Sequence, residues 1–297
     1  MTSKEIMNRF QKKYKNVARM LIACPDQPGI VAAISRLLYE KGANILQSDQ
    51  FSQDPEGGMF FMRIEFYLQD LDNKLDQLRD AFSLVGEKFL MNWRITSASK
   101  PKKMVIFVSK EDHCLNEILW QWKAGDLNTD ISMVISNHED LRATVEQMGI
   151  PYHYIPVTKD TKEQAEAEQR RLMEGNVDFI VLARYMQILS PYFVEHYPNR
   201  VINIHHSFLP AFVGGKPYDR AYERGVKIIG ATAHYVTDEL DAGPIIEQDV
   251  TRVSHRDTVD ELKREGRHIE RIVLARGVKW HLEDRILVHK NKTVVFV

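Results

Sequence analysis

The stretch VINIHHSFLP, residues 201–210, ends an apolar strand with side chains that could act on a substrate. Successive side chains of a strand point to opposite faces, so Asn203 and His205 share one face. In open α/β sheets, ligands bind beyond the carboxyl ends of the parallel strands. If this strand is parallel, its amide and imidazole therefore face a binding cleft.

Carboxylates follow in the loop TDELDAGP, residues 237–244, which contains Asp238, Glu239 and Asp241. An amide can donate a hydrogen bond to a developing oxyanion, an imidazole can supply a proton, and a carboxylate can orient or deprotonate a water molecule. Together these groups meet the requirements for attack on a carbonyl carbon. Taken singly, each also has a structural interpretation, as a hydrogen-bonded histidine at a strand end or a solvated acidic turn.

A metal site is another interpretation of the neighbouring histidines His205 and His206. Adjacent residues of a strand face opposite ways, and the sequence has neither an HExxH motif nor paired cysteines that would complete a ligand set. We therefore expect no metal at this position.

From Met104 onward, apolar β-type runs alternate with amphipathic helices, which predicts a doubly wound, mostly parallel α/β domain. The predicted strands are MVIFVS, DISMVIS, YHYIPV, DFIVLAR, RVINIH and KIIGATAHYV, and the predicted helices include LRATVEQMG and TKEQAEAEQRRLMEG. Residues 257–284 have the pattern of one long helix, and a hairpin around Asn291 follows.

Residues 17–97 predict a βαββαβ ferredoxin-like unit, in which two helices cover one side of a small antiparallel sheet. Its central hairpin turns at DPEGG, residues 54–58. The following strand, MFFMRIEFYLQ, alternates in a way that predicts one buried face. The polar, proline-containing segment 97–103 predicts a linker. The predicted domains therefore span residues 1–98 and 104–297.

Composition excludes several function classes. The 297-residue chain is 44% hydrophobic, and its 40 basic and 41 acidic residues leave a formal charge of -1. This balance provides no broad positive electrostatic field that would attract nucleic acid or an anionic membrane. The sequence lacks the apolar runs of a membrane span or an export signal. Cys24 and Cys114 lack CxxC spacing, which predicts reduced core thiols and a cytoplasmic location.

Two segments, NIHHSFLP and HYVTDELDAGPII, resemble the signatures of folate-dependent formyltransferase-fold enzymes. The shared pattern falls on Asn203, His205, Ser207, Leu209, Pro210, His234 and Asp241. The resemblance implies catalytic roles for Asn203, His205 and Asp241. It also implies 10-formyltetrahydrofolate as the substrate, with no permanently bound cofactor.

The segment LARYMQILSP is similar to the folate-binding segment of the same family. Gln187 departs from the pattern, because arginine occupies this place in some relatives. Together with the acidic loop, the segment implies substrate-binding roles for Met186, Gln187, Ile188, Leu189, His234, Thr237, Asp238 and Glu239.

The N-terminal unit resembles ACT domains through CPDQPGIVAAISRLLYEKGANIL, with Asp26, Gly29 and Asn44 at the expected places. ACT domains commonly pair and often bind amino acids between partners. The resemblance therefore implies a homo-oligomer, a dimer or a tetramer. It leaves open whether the unit binds an amino-acid effector or serves only in oligomerisation.

The formyl acceptor must be inferred separately. A glycinamide ribonucleotide acceptor needs a phosphate cradle after the first strand of the α/β domain. MVIFVSKEDHCLNEILW instead lacks glycine and places Glu111 and Asp112 at the helix start, where they would repel phosphate or only compensate the helix dipole. Initiator tRNA as the acceptor would require a basic C-terminal domain, whereas this chain has no net positive charge. His206 replaces a smaller residue of the transferases, and its ring could crowd an amine or be purely structural.

Water is therefore the expected acceptor, which predicts hydrolysis of 10-formyltetrahydrofolate to formate and tetrahydrofolate. This reaction would balance the one-carbon folate pools and supply formate for purine synthesis. Formyl transfer to a small amine is the alternative, as is a non-catalytic sensor of folate or an amino acid.

Overall fold

The computed structural model describes residues 3–54, 56–211, 215 and 217–297, and the chain forms two compact units. The smaller comprises Lys4–Pro101, Glu283–Leu287 and Val294–Val297, and the larger includes Lys102–Leu282 and Val288–Thr293. The domain boundaries 1–98 and 104–297 stay predictions. Pro55 of the predicted DPEGG turn lies outside the described residues.

In the smaller unit, the described elements follow the predicted βαββαβ order after a short leading helix. They are α1 (Ser3–Lys13), β1 (Val17–Pro25), α2 (Ile30–Glu40), β2 (Asn44–Ser52), β3 (Met59–Tyr67), α3 (Leu71–Lys88) and β4 (Asn92–Ser97). The strands form an antiparallel sheet in the order β2-β3-β1-β4. The apolar sides of α2 and α3 share one core with this sheet. The predicted fold of this unit is confirmed.

The prediction of a single buried face for β3 was wrong. Phe61 and Arg63 lie on its other face, and both are fully buried. Phe61 packs with Leu21 and Phe296. The Arg63 guanidinium donates to the carbonyl oxygen of Asp284 at 3.0 Å. Residues far along the chain therefore bury the second face, which the alternation within the strand could not reveal.

The larger unit alternates strands and helices as predicted, and its elements begin at Lys102. They are β5 (Lys102–Val108), α4 (His113–Ala124), β6 (Thr129–Ser136), α5 (Arg142–Glu146), β7 (Tyr152–Tyr154), α6 (Lys162–Met173), β8 (Phe179–Leu182), α7 (Pro191–Glu195), β9 (Val201–His205), α8 (Pro217–Arg224), β10 (Ile228–Tyr235), β11 (Ile245–Arg252) and α9 (Val259–Leu282). The two remaining strands, β12 (Ile286–His289) and β13 (Lys292–Val295), form the predicted hairpin.

The strands of the larger sheet lie in the order β11-β10-β9-β8-β5-β6-β7. Strands β5 to β9 pair in parallel, whereas β10 and β11 pair antiparallel. The fold prediction of a mostly parallel α/β domain is therefore confirmed. Strand β9 lies between parallel β8 and antiparallel β10, so His205 lies at the carboxyl end of a parallel strand.

Helix α9 packs against β9, β10 and β11. Its 24 residues place apolar side chains at helical spacing on the buried side, among them Leu262, Ile269, Val273 and Val278. Glu270 lies on the same buried side.

Among the described residues, none of the helices combines the length and the apolar composition that a membrane span requires.

Candidate active site

Asn203 lies opposite His234 where β9 and β10 pair. Burial lowers the pKa of His234, so its ring is neutral at physiological pH. The ring donates through Nδ1 to the carbonyl oxygen of Tyr235 at 2.9 Å, which leaves Nε2 as an acceptor. The Asn203 amide nitrogen donates to this Nε2 at 3.2 Å. Its second hydrogen remains available to a substrate oxygen.

His205 and Asp241 form a buried pair next to this amide. Nδ1 of His205 lies 3.2 Å from Oδ2 of Asp241, and Oδ1 of Asp241 lies 3.9 Å from Nε2 of His234. Nε2 of His205 is buried and has no hydrogen-bond partner among the described residues. One nitrogen of His205 therefore faces the carboxylate, and the other can serve a ligand.

The loop between β10 and β11 sets the position of Asp241. Asp241 has a φ of 57°, in the left-handed region that aspartate and asparagine tolerate better than most residues. Two residues on, a Cβ at Gly243 would lie 1.8 Å from the carbonyl oxygen of Tyr235, so only glycine fits. Asn291 donates to the carbonyl oxygen of Ala242 at 2.8 Å. The chain that follows the carboxylate is thus fixed.

These groups line one cleft of about 260 Å³. All but one of the predicted site residues line it, namely Asn203, His205, Asp241, Met186, Gln187, Ile188, Leu189, His234, Thr237 and Asp238. Glu239 is exposed and is not part of the lining. Its carbonyl oxygen accepts a hydrogen bond from Thr237 at 3.1 Å, so it contributes to the loop rather than to the cleft wall.

Hydrogen bonds from neighbouring elements hold the segment that contains Met186. The hydroxyl of Ser109, just after β5, accepts from the Met186 amide at 3.0 Å and donates to Asn137 at 2.7 Å. At the far end of the segment, the buried carboxylate of Glu166 accepts from the backbone N–H and the hydroxyl of Ser190. Both ends of the apolar wall of the cleft are therefore fixed to the sheet and to α6.

Family models and curated relatives match both units of the chain. A family model described as Formyl transferase matches residues 102–278, and one described as ACT domain matches residues 19–82. A formyltetrahydrofolate deformylase of Bacillus subtilis (strain 168) is 57% identical over 98% of this chain and 97% of that protein. The chain belongs to the formyltetrahydrofolate deformylase family.

Solved structures agree with membership of the deformylase family. The crystal structure of a formyltetrahydrofolate deformylase from Pseudomonas syringae pv. tomato matches with a TM-score of 0.91 and 50% identity, over 99% of this chain and all of that one. A glycinamide ribonucleotide transformylase from Symbiobacterium toebii matches with a TM-score of 0.62 and 26% identity, over 66% of this chain and 95% of that one. The deformylase likeness thus extends over both units.

Two charged residues near the cleft were not singled out by the sequence. Arg184 lines the cleft, although the pattern placed it at the end of a strand. Glu270 is buried, and its Oε2 lies 3.4 Å from Nε of Arg184. The sequence feature that could have identified Glu270 is its core-facing position on α9, between the apolar residues Ile269 and Val273.

Glu270 accepts hydrogen bonds from Nε2 of His113 at 2.8 Å and from the hydroxyl of Tyr218 at 2.6 Å. We name Glu270, His113, Tyr218 and Arg184 the Glu270 cluster. Burial alone would raise the pKa of Glu270, but the hydrogen bond from His113 and the charge of Arg184 outweigh it and hold the pKa at about 2. The carboxylate is therefore ionised.

His113 and Glu270, with Cys114, are also the described residues that could hold a metal, since their ligand atoms lie within 4.8 Å of one another. Burial raises the pKa of Cys114 well above its usual value, so the thiol keeps its proton, whereas metals bind the thiolate. Hydrogen bonds already occupy both oxygens of Glu270. This donor set favours a hydrogen-bonded cluster, and the absence of a metal stays a prediction.

Proposed function

We propose that this chain hydrolyses 10-formyltetrahydrofolate to formate and tetrahydrofolate. The observation that carries the proposal is the 3.2 Å contact between His205 and Asp241 in a cleft that also contains the Asn203 amide. Membership of the deformylase family, at 57% identity over 98% of the chain, supports the same reaction.

In the proposed reaction, Asp241 takes a proton from a water molecule as the water oxygen bonds to the formyl carbon. The C=O electron pair moves onto oxygen, and the Asn203 amide and Nε2–H of His205 donate to this oxyanion. The bond between carbon and N10 then breaks. N10 takes the proton from Nε2 of His205, and after product release the proton that Asp241 took from water returns through solvent to Nε2. Formic acid is released and ionises, so atoms and charge balance.

The wall at Met186, Ile188 and Leu189 is proposed to hold the pteridine ring, because its side chains are apolar and its backbone is fixed at both ends. Met186 and Ile188 are exposed for apolar residues, at 55% and 61%. Binding of a flat ring would remove this apolar surface from water. The folate is a substrate here, and no permanently bound cofactor is part of the proposal.

Formyl transfer to an amine is the alternative. Glu111 and Asp112 are exposed at the start of α4, and Asp112 is its N-cap residue. A helix N-terminus attracts phosphate through its N–H groups, but two carboxylates there oppose a second anion. This observation disfavours a phosphorylated acceptor.

The deciding experiment supplies 10-formyltetrahydrofolate with no amine and measures formate and tetrahydrofolate. Equimolar release of both is the expected result. Release that begins only when an amine such as glycinamide ribonucleotide is added would replace hydrolysis with transfer. Folate binding without turnover would support the sensor.

Three further properties belong to this proposal. The ACT domain supports an amino-acid effector, and we also propose a homo-oligomer, a dimer or a tetramer. Cys24 and Cys114 are buried free thiols, which supports a reducing, cytoplasmic setting. Titration of amino acids into the formate assay tests the effector, and light scattering of the purified chain tests the oligomer.

A further inference from the structure

His206 lies in the wall of the cleft that contains Asn203, His205 and Asp241. Its ring centroid lies 5.2 Å from that of His205, and 6.0 Å from the ring of Tyr218 on α8. The imidazole is thus packed between a proposed catalytic residue and a member of the Glu270 cluster. A side chain in this position can reach a ligand in the cleft.

Arg184 lines the same cleft and is held from two sides. Its carbonyl oxygen accepts from the Ser109 amide at 3.3 Å, and its backbone has a φ of 63°, which is costly for arginine. Its side chain pairs with the buried carboxylate of Glu270. Because Glu270 is itself held by His113 and Tyr218, the guanidinium has a fixed anchor.

The charge of Arg184 acts on His206. Burial, and then this positive charge, lower the pKa of His206 to about 4. The ring is therefore neutral at physiological pH, and one of its nitrogens is a hydrogen-bond acceptor. The titratable and charged groups that face it come from five separate segments: His205 at the end of β9, Arg184 after β8, Tyr218 on α8, Asp241 in the β10–β11 loop and Glu270 on α9.

We propose that His206 is a further catalytic residue, which accepts a hydrogen bond from the attacking water, and that Arg184, anchored by Glu270, is its positioning residue. This inference rests on the proposed hydrolysis. Asp241 takes one hydrogen of the water as a proton, and His206 orients the water through the other. That second hydrogen stays on oxygen until formic acid ionises, so His206 neither gains nor loses a proton in the step.

The first test compares formate release by wild type, His206→Ala and His206→Gln. Loss of one orienting hydrogen bond should lower kcat of His206→Ala about 10- to 100-fold, with KM changed less than about threefold. The glutamine amide oxygen can accept the same bond, so His206→Gln should lie between the other two. A kcat of His206→Ala within about twofold of wild type would overturn the catalytic role.

The second test addresses Arg184 through the pH dependence of kcat between about pH 5.5 and about pH 9. In Arg184→Gln the positive charge is gone but burial, the larger cause, remains, so the pKa of His206 should rise part of the way toward its ordinary value. The loss of activity on acidification, the acid limb of the profile, should therefore begin at a higher pH than in wild type. Arg184→Lys keeps the charge and should retain the wild-type acid limb. An Arg184→Gln profile that superimposes on wild type would overturn the positioning role, as would a shift that persists in Arg184→Gln/His206→Gln.

Glu117→Gln is the matched control. Glu117 on α4 lies 3.9 Å from Arg271 on α9. Like the Glu270 cluster, this ion pair connects α4 and α9, but it lies away from the cleft. The kcat and pH profile of Glu117→Gln should equal those of wild type. Thermal unfolding of each variant checks the fold. If Arg184→Gln fails to fold, His206→Ala still decides the catalytic role, and a shifted acid limb in Arg184→Lys, which keeps the charge, would overturn the positioning role. A wild-type chain that releases no formate without an amine would instead reject the proposed hydrolysis.

Discussion

The Asn203 side chain has two amide hydrogens, and its contact with His234 uses one of them. Because Nδ1 of His234 is held by the Tyr235 carbonyl, the amide nitrogen rather than the amide oxygen must face the imidazole. The remaining hydrogen is therefore directed by the fold before any substrate binds. Preorganised donors of this kind stabilise a developing oxyanion more than a mobile side chain would.

Asn203→Ala should lower kcat about 100- to 1000-fold, the typical cost of one oxyanion donor, with a much smaller change in folate affinity. Steady-state formate release and folate binding by fluorescence measure the two effects. Turnover close to wild type would remove Asn203 from the proposed mechanism.

Asp241→Asn tests the carboxylate without disturbing the loop. Asparagine tolerates the left-handed backbone of this position as well as aspartate does, so the fold should be retained. The amide cannot take a proton from water, and formate release should fall at least about 100-fold. Circular dichroism and thermal unfolding accompany the assay. Loss of the folded state would indicate a structural aspartate instead.

At the scale of elements, the alternating pattern of β9 was enough to predict that Asn203 and His205 lie together, whereas the family resemblance was needed to select Asp241 from the three carboxylates of the loop after β10. Asn203 and His205 share a face because of strand geometry alone, and the parallel strand end predicts a cleft. Their catalytic roles stay predictions, as does that of Asp241. Glu239 was predicted to bind substrate but lies outside the cleft lining, because neighbouring residues of a loop need not point the same way.

The Glu270 cluster shows where sequence patterns are insufficient. His113, Arg184 and Glu270 come from α4, from the loop after β8 and from α9, and their contacts depend on how these elements pack. A buried carboxylate is costly unless it is paired. The sequence can show that Glu270 lies among core positions, but only the packing identifies its partners.

At one position of helix α9, helix propensity and side-chain packing have opposite effects on the free energy of unfolding. Alanine in place of a helical glycine normally stabilises by up to about 1 kcal/mol. At Gly266, however, a Cβ would lie 2.0 Å from the hydroxyl of Tyr218, which donates to Glu270. Gly266→Ala should therefore destabilise the protein by about 1–3 kcal/mol in urea unfolding.

The control for this prediction is the same substitution in a Tyr218→Leu background. Leucine removes the ring that the new methyl group strikes, so Gly266→Ala should cost less there than in wild type. An increase in stability of the single Gly266→Ala variant would contradict the close approach.

In the molecule as a whole, the chain forms most of the smaller unit first, then the larger unit, and then returns to the smaller one. Residues Glu283–Leu287 and Val294–Val297 belong to the smaller unit, although the residues that precede them in the sequence form the larger one. The backbone carbonyls of Glu283 and Asp284 accept from the buried Arg63 guanidinium. Local patterns predicted each unit well, but they contain no information on this return of the chain.

Phe296→Ala should destabilise the smaller unit by about 3 kcal/mol, since the ring is buried against Leu21 and Phe61. Hydrogen exchange should become faster in β1 and β3 and stay unchanged in the strands of the larger unit. Val297 is 81% exposed, so Val297→Ala is the matched control and should leave exchange unchanged. Equal acceleration in both units would contradict the assignment of Phe296 to the smaller unit.

This chain path has a consequence during protein synthesis. A ribosome makes residues 4–101 first, but the residues that cover Phe61 and Arg63 emerge only after the whole of Lys102–Leu282 has been translated. The second face of the first-made sheet, with Phe61 and Arg63, therefore stays uncovered until Glu283–Leu287 and Val294–Val297 have also been translated.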